Sequence, residues 1–178
     1  MKSRVYSVLK QIAIFIVIIF LIGVWQTRTM PKGKAPVVTV TSLDGESFEI
    51  PNTQTPKLTL VYFFAPWCGV CRASIRNLDA VREWVPDVAI HVVALDYEST
   101  ESVLNFVRDV GVTSPVAFGS PAVRDAWNIS GYPSYVIIGK DQEIHTASIG
   151  YSSQLGMLVR VLWARLWSFK FVTLNHGV

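Results

Sequence analysis

The run LTLVYFF, Leu58 to Phe64, constrains this chain more than any other stretch. It is apolar, β-branched and aromatic without clean alternation, the pattern of a strand covered on both faces. Such a strand belongs at the centre of a sheet with helices packed above and below it, which selects an α/β architecture. The segment that follows, APWCGVCR from Ala65 to Arg72, holds the only two cysteines of the 178 residues. Beyond them the hydrophobic period changes to three or four, with Ile75, Leu78, Val81 and Val85 on one side and Arg72, Arg76, Asp79, Arg82 and Glu83 between. That spacing predicts an amphipathic helix from Cys68 to Trp84, ending before Pro86.

The same reading extends in both directions. VVTVTSLDGESFEI predicts two short strands about a turn at Asp44-Gly45, and Pro51 to Pro56 a loop. Val88 to Leu95 reads as a second buried strand. A helix capped at Ser99 or Thr100 runs to Val110 and closes at Gly111. A short strand at Val116–Phe118 precedes a helix with Ser120 as cap and Pro121 at its first position, running to Trp127. Ser134–Ile138 and Glu143–Ile149 form a hairpin about Gly139 to Gln142, and Ser152–Phe169 a terminal helix. No repeat and no low-complexity tract interrupts this order.

A chain of this length makes one domain and does not need a disulfide scaffold, so the two cysteines point to chemistry. The net charge of +3 suggests nucleic acid only until it is localised. Lys2, Arg4, Lys10, Arg28, Lys32 and Lys34 precede any acidic residue, leaving ten basic against thirteen acidic in the remainder. The globular part is mildly acidic, without the basic face that nucleic-acid binding requires. The N-terminal excess flanks IAIFIVIIFLIGVW, Ile12 to Trp25, an apolar run of about 21 Å as a helix. It is short for a membrane span and the length of a signal-peptide core, but no small-x-small cleavage site follows, so an uncleaved anchor is expected over a cleaved signal or a cytosolic chain. Charges on the two sides balance, and the positive-inside rule does not orient it.

Two cysteines at i and i+3 of a helix lie about 5 to 6 Å apart at Cβ, so their sulfurs can join or part with little backbone movement. Cys68, in the first turn, has a thiolate stabilised by unpaired N–H groups and is the natural nucleophile. Cys71, one turn deeper, can attack a mixed disulfide on Cys68 and release the partner. Trp67 is placed to shield one side, and Gly69 to leave room for a substrate chain. Structural zinc would need ligands from His91, His145, His176 or scattered carboxylates at no ligand spacing; a copper(I) module and a static disulfide are further alternatives. Pro133, in SGYPSYVII, enters a strand where a proline costs a ladder donor, and X-Pro is where a cis bond occurs; on its own it reads first as a turn, and only beside the cysteine pair and the strand that follows does it take on another meaning.

Taken together, FFAPWCGVC, AWNISGYPSYVII and the closing ASIGYSS resemble a membrane-anchored thioredoxin-like protein of the TlpA type. The Gly69-Val70 dipeptide and the layout resemble its suppressor-of-copper-sensitivity D (ScsD) branch most. The resemblance covers about residues 36 to 170 and the anchor. It implies a thioredoxin-like fold, a central mixed sheet flanked by helices, with an N-terminal strand extension, an inserted strand and helix and a single N-terminal membrane helix. It implies Cys68 as attacking thiol, Cys71 as resolving thiol and a cis bond between Tyr132 and Pro133 beside them, with Trp67, Gly69 and Val70 as support. The expected division is 1–29 cytoplasmic N-terminus and anchor, 30–36 linker, 37–170 thioredoxin-like domain facing the bacterial periplasm, and 171–178 tail.

The resemblance further implies a thiol–disulfide oxidoreductase acting on protein thiols and disulfides of the envelope, without a bound cofactor, coupled to a membrane redox relay of the DsbD or ScsB kind. The alternatives are reduction of apocytochrome c thiols and a copper- or zinc-binding module built on the same pair. Two positions depart from the family pattern. Tyr62 stands where a buried aspartate or asparagine is usual, and Ser74 where several reducing members carry glutamate. Water, Asp96 or Glu98 are then the candidates to take the proton of Cys71. His91 reads as a satisfied core histidine. Trp163, Trp167 and Phe169, with Arg160 and Arg165, read as packing on the sheet, or alternatively as membrane-surface contact.

Overall fold

The computed structural model describes residues 2–26, 28, 30–54 and 57–175. Its centre is β4, Thr59–Phe64, in which all six residues are buried. On one side β4 pairs in parallel with β5 (Ala89–Ala94), and β5 in parallel with β6 (Val116–Phe118). On the other side it pairs antiparallel with β7 (Ser134–Ile138), which continues antiparallel into β8 (Glu143–Ile149). The hairpin β2 (Val38–Ser42) and β3 (Ser47–Ile50) adds to β6, and β1 (Gly33–Lys34) to β8. One mixed sheet results, in the order β1-β8-β7-β4-β5-β6-β2-β3.

The two-sided burial of β4 divides the core. Leu60, Tyr62 and Phe64 face a layer that includes Ile75, Leu78, Val81, Phe106, Met157 and Val161. Val61 and Phe63 face the other, with Val93, Val123, Trp127 and Val136. The first layer comes from α2 (Gly69–Ser74), α3 (Asn77–Trp84), α4 (Thr100–Val110) and α6 (Gln154–Asn175), the second largely from α5 (Pro121–Ala126) and the chain before β2. The expected caps are in place. Ser99 Oγ accepts the Ser102 N–H at 3.1 Å, Ser120 precedes Pro121 at the start of α5, and Gly111 ends α4 with φ of +71°.

Four expectations need correction. The single helix from Cys68 to Trp84 is broken at Ile75–Arg76, although no glycine or proline lies there. Ser74 Oγ donates back to the Val70 carbonyl at 2.9 Å, a local bond that competes with the helical ladder, and Leu78 and Asp79 take three-residue bonds to Ile75 and Arg76 instead. Residues 30–36 are no free linker: Met30 and Ala35 are buried and β1 pairs with β8. Trp163 and Trp167 do not pack on the sheet. Met157, Val161 and Ala164 do, while both tryptophans are largely exposed, their rings 6.5 Å apart. His91 lies in β5 against the Phe48 ring at 5.6 Å, but its Nδ1 is buried with no hydrogen-bond partner among the described residues.

The N-terminal run is helical, as α1 (Lys2–Gln26). Among the described residues no helix is long and apolar enough to cross a membrane. Many α1 side chains, and those of the last turns of α6 including Phe169, lie outside the described residues.

Candidate active site

The carboxyl end of β4 delivers Ala65, whose carbonyl accepts the Cys68 N–H at 3.0 Å and turns the chain into α2. Cys68 is the N-cap of that helix. Its sulfur accepts the Cys71 N–H at 3.1 Å, a donor that stabilises negative charge on Sγ. The two cysteines are joined in a disulfide, with Cα atoms 5.2 Å apart. Their exposures differ in the direction their expected roles demand: Cys68 retains 6 % of its surface and Cys71 none. An incoming sulfur therefore meets Cys68.

Around Cys68 the surface is apolar and open. Trp67 and Val70 are exposed, and a Cβ placed on Gly69 would meet no atom within 4 Å, so Gly69 leaves an open face but is not forced by its own surroundings. The Trp67 indole Nε1 donates to the Asp96 carbonyl at 2.9 Å, and its ring meets that of Tyr132 edge-on, centroids 5.8 Å apart. The Tyr132–Pro133 bond is cis. Pro133 is buried and its carbonyl accepts the Gly150 N–H, just ahead of the Ser134–Ile149 ladder pair. The Trp67–Tyr132 contact thus brings the cysteine loop and the proline loop together. Beside them a cavity of about 290 Å³ opens between Trp67, Arg72, Glu98 and Phe106.

The two departures from the family pattern turn out to be partners. Tyr62 Oη and Ser74 Oγ lie 2.7 Å apart, both buried, and the Ser74 hydroxyl donates its own hydrogen bond to the Val70 carbonyl. Burial pushes the Tyr62 phenol well above its ordinary value, more than the Ser74 bond lowers it. A neutral hydroxyl pair fills the space where a carboxylate was sought. Asp96 is engaged elsewhere, accepting from the Tyr132 hydroxyl at 3.0 Å and lying 3.5 Å from Arg124. Sequence reasoning named Tyr62, Ser74 and Asp96 separately; no spacing rule joins positions 12 or 36 residues apart, so their pairing was not readable. Among the described residues no three His, Cys, Asp or Glu side chains are grouped to hold a metal ion.

A disulfide at the start of a helix, its first cysteine the less buried of the two, set at the carboxyl end of a buried parallel strand, defines a thioredoxin-like thiol–disulfide oxidoreductase. Residues 31–147 match the AhpC/TSA family, and the chain belongs to it. It is similar to the thioredoxin-like protein YneN of Bacillus subtilis, 25% identical over 65% of this chain and 71% of that protein. It is also similar to the thiol:disulfide interchange protein CycY of Rhizobium leguminosarum, 28% identical over 57% of this chain and 54% of that one. A thioredoxin-family thiol:disulfide interchange protein of Chlorobium tepidum superposes with a TM-score of 0.65 at 24% identity, covering 75% of this chain and 97% of the other, and shows the shared fold.

Proposed function

We propose that this oxidoreductase exchanges disulfides with proteins of the bacterial envelope while held at the inner membrane by its N-terminal helix, its thioredoxin-like domain facing the periplasm. The observation that carries the exchange is the asymmetry of the pair, with Cys68 keeping a small exposed surface and receiving the Cys71 N–H, and Cys71 fully buried. In the reduced state the Cys68 thiolate attacks one sulfur of a substrate disulfide; a Cys68–substrate bond forms and the other substrate sulfur leaves as a thiolate. The Cys71 thiolate then attacks Cys68, the 68–71 bond closes and the second substrate sulfur departs, so two electrons have passed to the substrate. The closed pair is the acceptor for the reverse reaction, taking two electrons from a dithiol. A membrane relay of the DsbD or ScsB kind is the proposed electron partner.

The membrane reading is supported by the apolar run Ile12–Trp25, its helical conformation and the absence of a small-x-small site behind it. An anchor would raise the effective concentration of the site near a membrane relay. Exchange is tested with the full chain in detergent by thiol-driven reduction of insulin. Cys68→Ser is expected to abolish turnover and Cys71→Ser to accumulate mixed disulfides; substantial turnover by Cys68→Ser would place the nucleophile elsewhere. Placement is tested by fractionation with a thiol reagent that does not cross the inner membrane, applied after mild reduction of intact cells. Labelling only after lysis would overturn the orientation, and a soluble mature chain the anchor.

A further inference from the structure

Asp96 lies two residues past the end of β5 and adopts a left-handed backbone, φ +47°, a conformation that aspartate tolerates better than most side chains but that still needs outside support. Both of its polar ends are used by the rims of the Cys68 cleft. Its carbonyl takes the Trp67 indole N–H at 2.9 Å and its carboxylate takes the Tyr132 hydroxyl at 3.0 Å. Trp67 is 66% exposed, so burial does not hold its ring. What orients it is the bond to Asp96 and the edge of Tyr132, itself bonded to Asp96. Three residues from three loops therefore close a ring of contacts, two hydrogen bonds and one aromatic pair, with Arg124 from α5 bracing the carboxylate.

We propose that Asp96 is a positioning residue that locks the Trp67 and Tyr132 rims into one surface on which a protein disulfide docks, a role that rests on the oxidoreductase reading of Cys68 and Cys71. The carboxylate already accepts from Tyr132 and faces Arg124, which fits holding better than taking a proton from the fully buried Cys71. Burial and the adjacent carboxylate keep the Tyr132 phenol above its ordinary value, so it remains a donor at working pH. The left-handed turn is what lets one residue present its carbonyl to one rim and its side chain to the other. Loss of the Tyr132 bond should then loosen Trp67, although the two hydrogen bonds share no atom.

The test uses the full chain in detergent and insulin as the protein disulfide, comparing Asp96→Ala, Asp96→Asn, Tyr132→Phe and the double variant Asp96→Ala/Tyr132→Phe. Asp96→Ala and Tyr132→Phe are each expected to raise KM about 5-fold with a smaller change in kcat. Asp96→Asn, which keeps an oxygen acceptor, should recover most of that loss, and the double variant should be no worse than Asp96→Ala. In parallel, the Trp67 Nε1–H resonance, assigned by its absence in Trp67→Phe, should shift in Tyr132→Phe even though phenylalanine keeps the ring contact. The proposal is overturned if Asp96→Asn is as impaired as Asp96→Ala, if the two single effects multiply, or if the indole signal stays in place. Inactivity of the parent chain would instead refute the reading of the cysteines, and the indole signal would still decide the role of Asp96.

Discussion

At the scale of single residues, Tyr62 and Ser74 show how a buried polar pair is kept satisfied. Ser74 donates to the Val70 carbonyl and so is free to accept from Tyr62, whose hydroxyl lies in that apolar layer. The two halves of the pair are therefore unequal. Tyr62→Phe removes one hydrogen bond and strands nothing, a cost of about 0.5–1.5 kcal/mol, whereas Ser74→Ala leaves a buried phenol hydroxyl unpaired at about 1–3 kcal/mol. Denaturant unfolding should rank Ser74→Ala as the weaker protein. His91 gives a second residue-level expectation. Burial holds its imidazole below the ordinary value, so the folded chain stays neutral there while the unfolded chain gains a proton as pH falls through about 6.5. The unfolded state then binds more protons, and stability declines on acidification below that pH. Replacing His91 by Phe should flatten the decline in unfolding free energy between pH 7.5 and 5.5.

At the scale of elements, the chain before β2 behaves as part of the domain. Met30 and Ala35 are buried in the same layer as Val61, Phe63 and Trp127, and β1 covers the free edge of β8. A chain beginning at residue 36 should therefore be less stable than one beginning at residue 28, by about 2–3 kcal/mol for the buried methionine and its neighbours, as read from denaturation midpoints of the two. Most other elements were legible because their signals are local. The unbroken apolar character of Leu58–Phe64 announces the central strand, Ser99 and Gly111 mark the two ends of α4, and Ser120-Pro121 opens α5. What escaped depends on partners far along the chain or on competition within a turn. The break after Ser74 follows from a side-chain bond to Val70, and the docking of Met30 from a surface assembled only when the sheet forms. The outward turn of Trp163 has no sequence signal either, since α6 carries apolar residues on both its faces.

For the whole molecule, the sheet places the cysteine pair at one end and a separate cavity at the other. Cys68, Trp67 and Asp96 gather where β4 and β5 end, while the cavity of about 440 Å³ that includes Thr59, Ala89 and His91 opens where those strands begin. Turnover should not disturb the rest of this architecture, because the bond that opens spans a separation of three residues. A cross-link closing so small a loop restrains the unfolded chain by no more than about 2 kcal/mol. Unfolding of the full chain with and without reductant should differ by less than that amount; a larger gap would mean that opening the pair loosens the core around Cys71. The two cysteines also settle how the chain matures. These 178 residues hold no third thiol, so oxidation offers them one intramolecular pairing and no scrambled isomer in which to become trapped, and folding them in an oxidising medium calls for no isomerase.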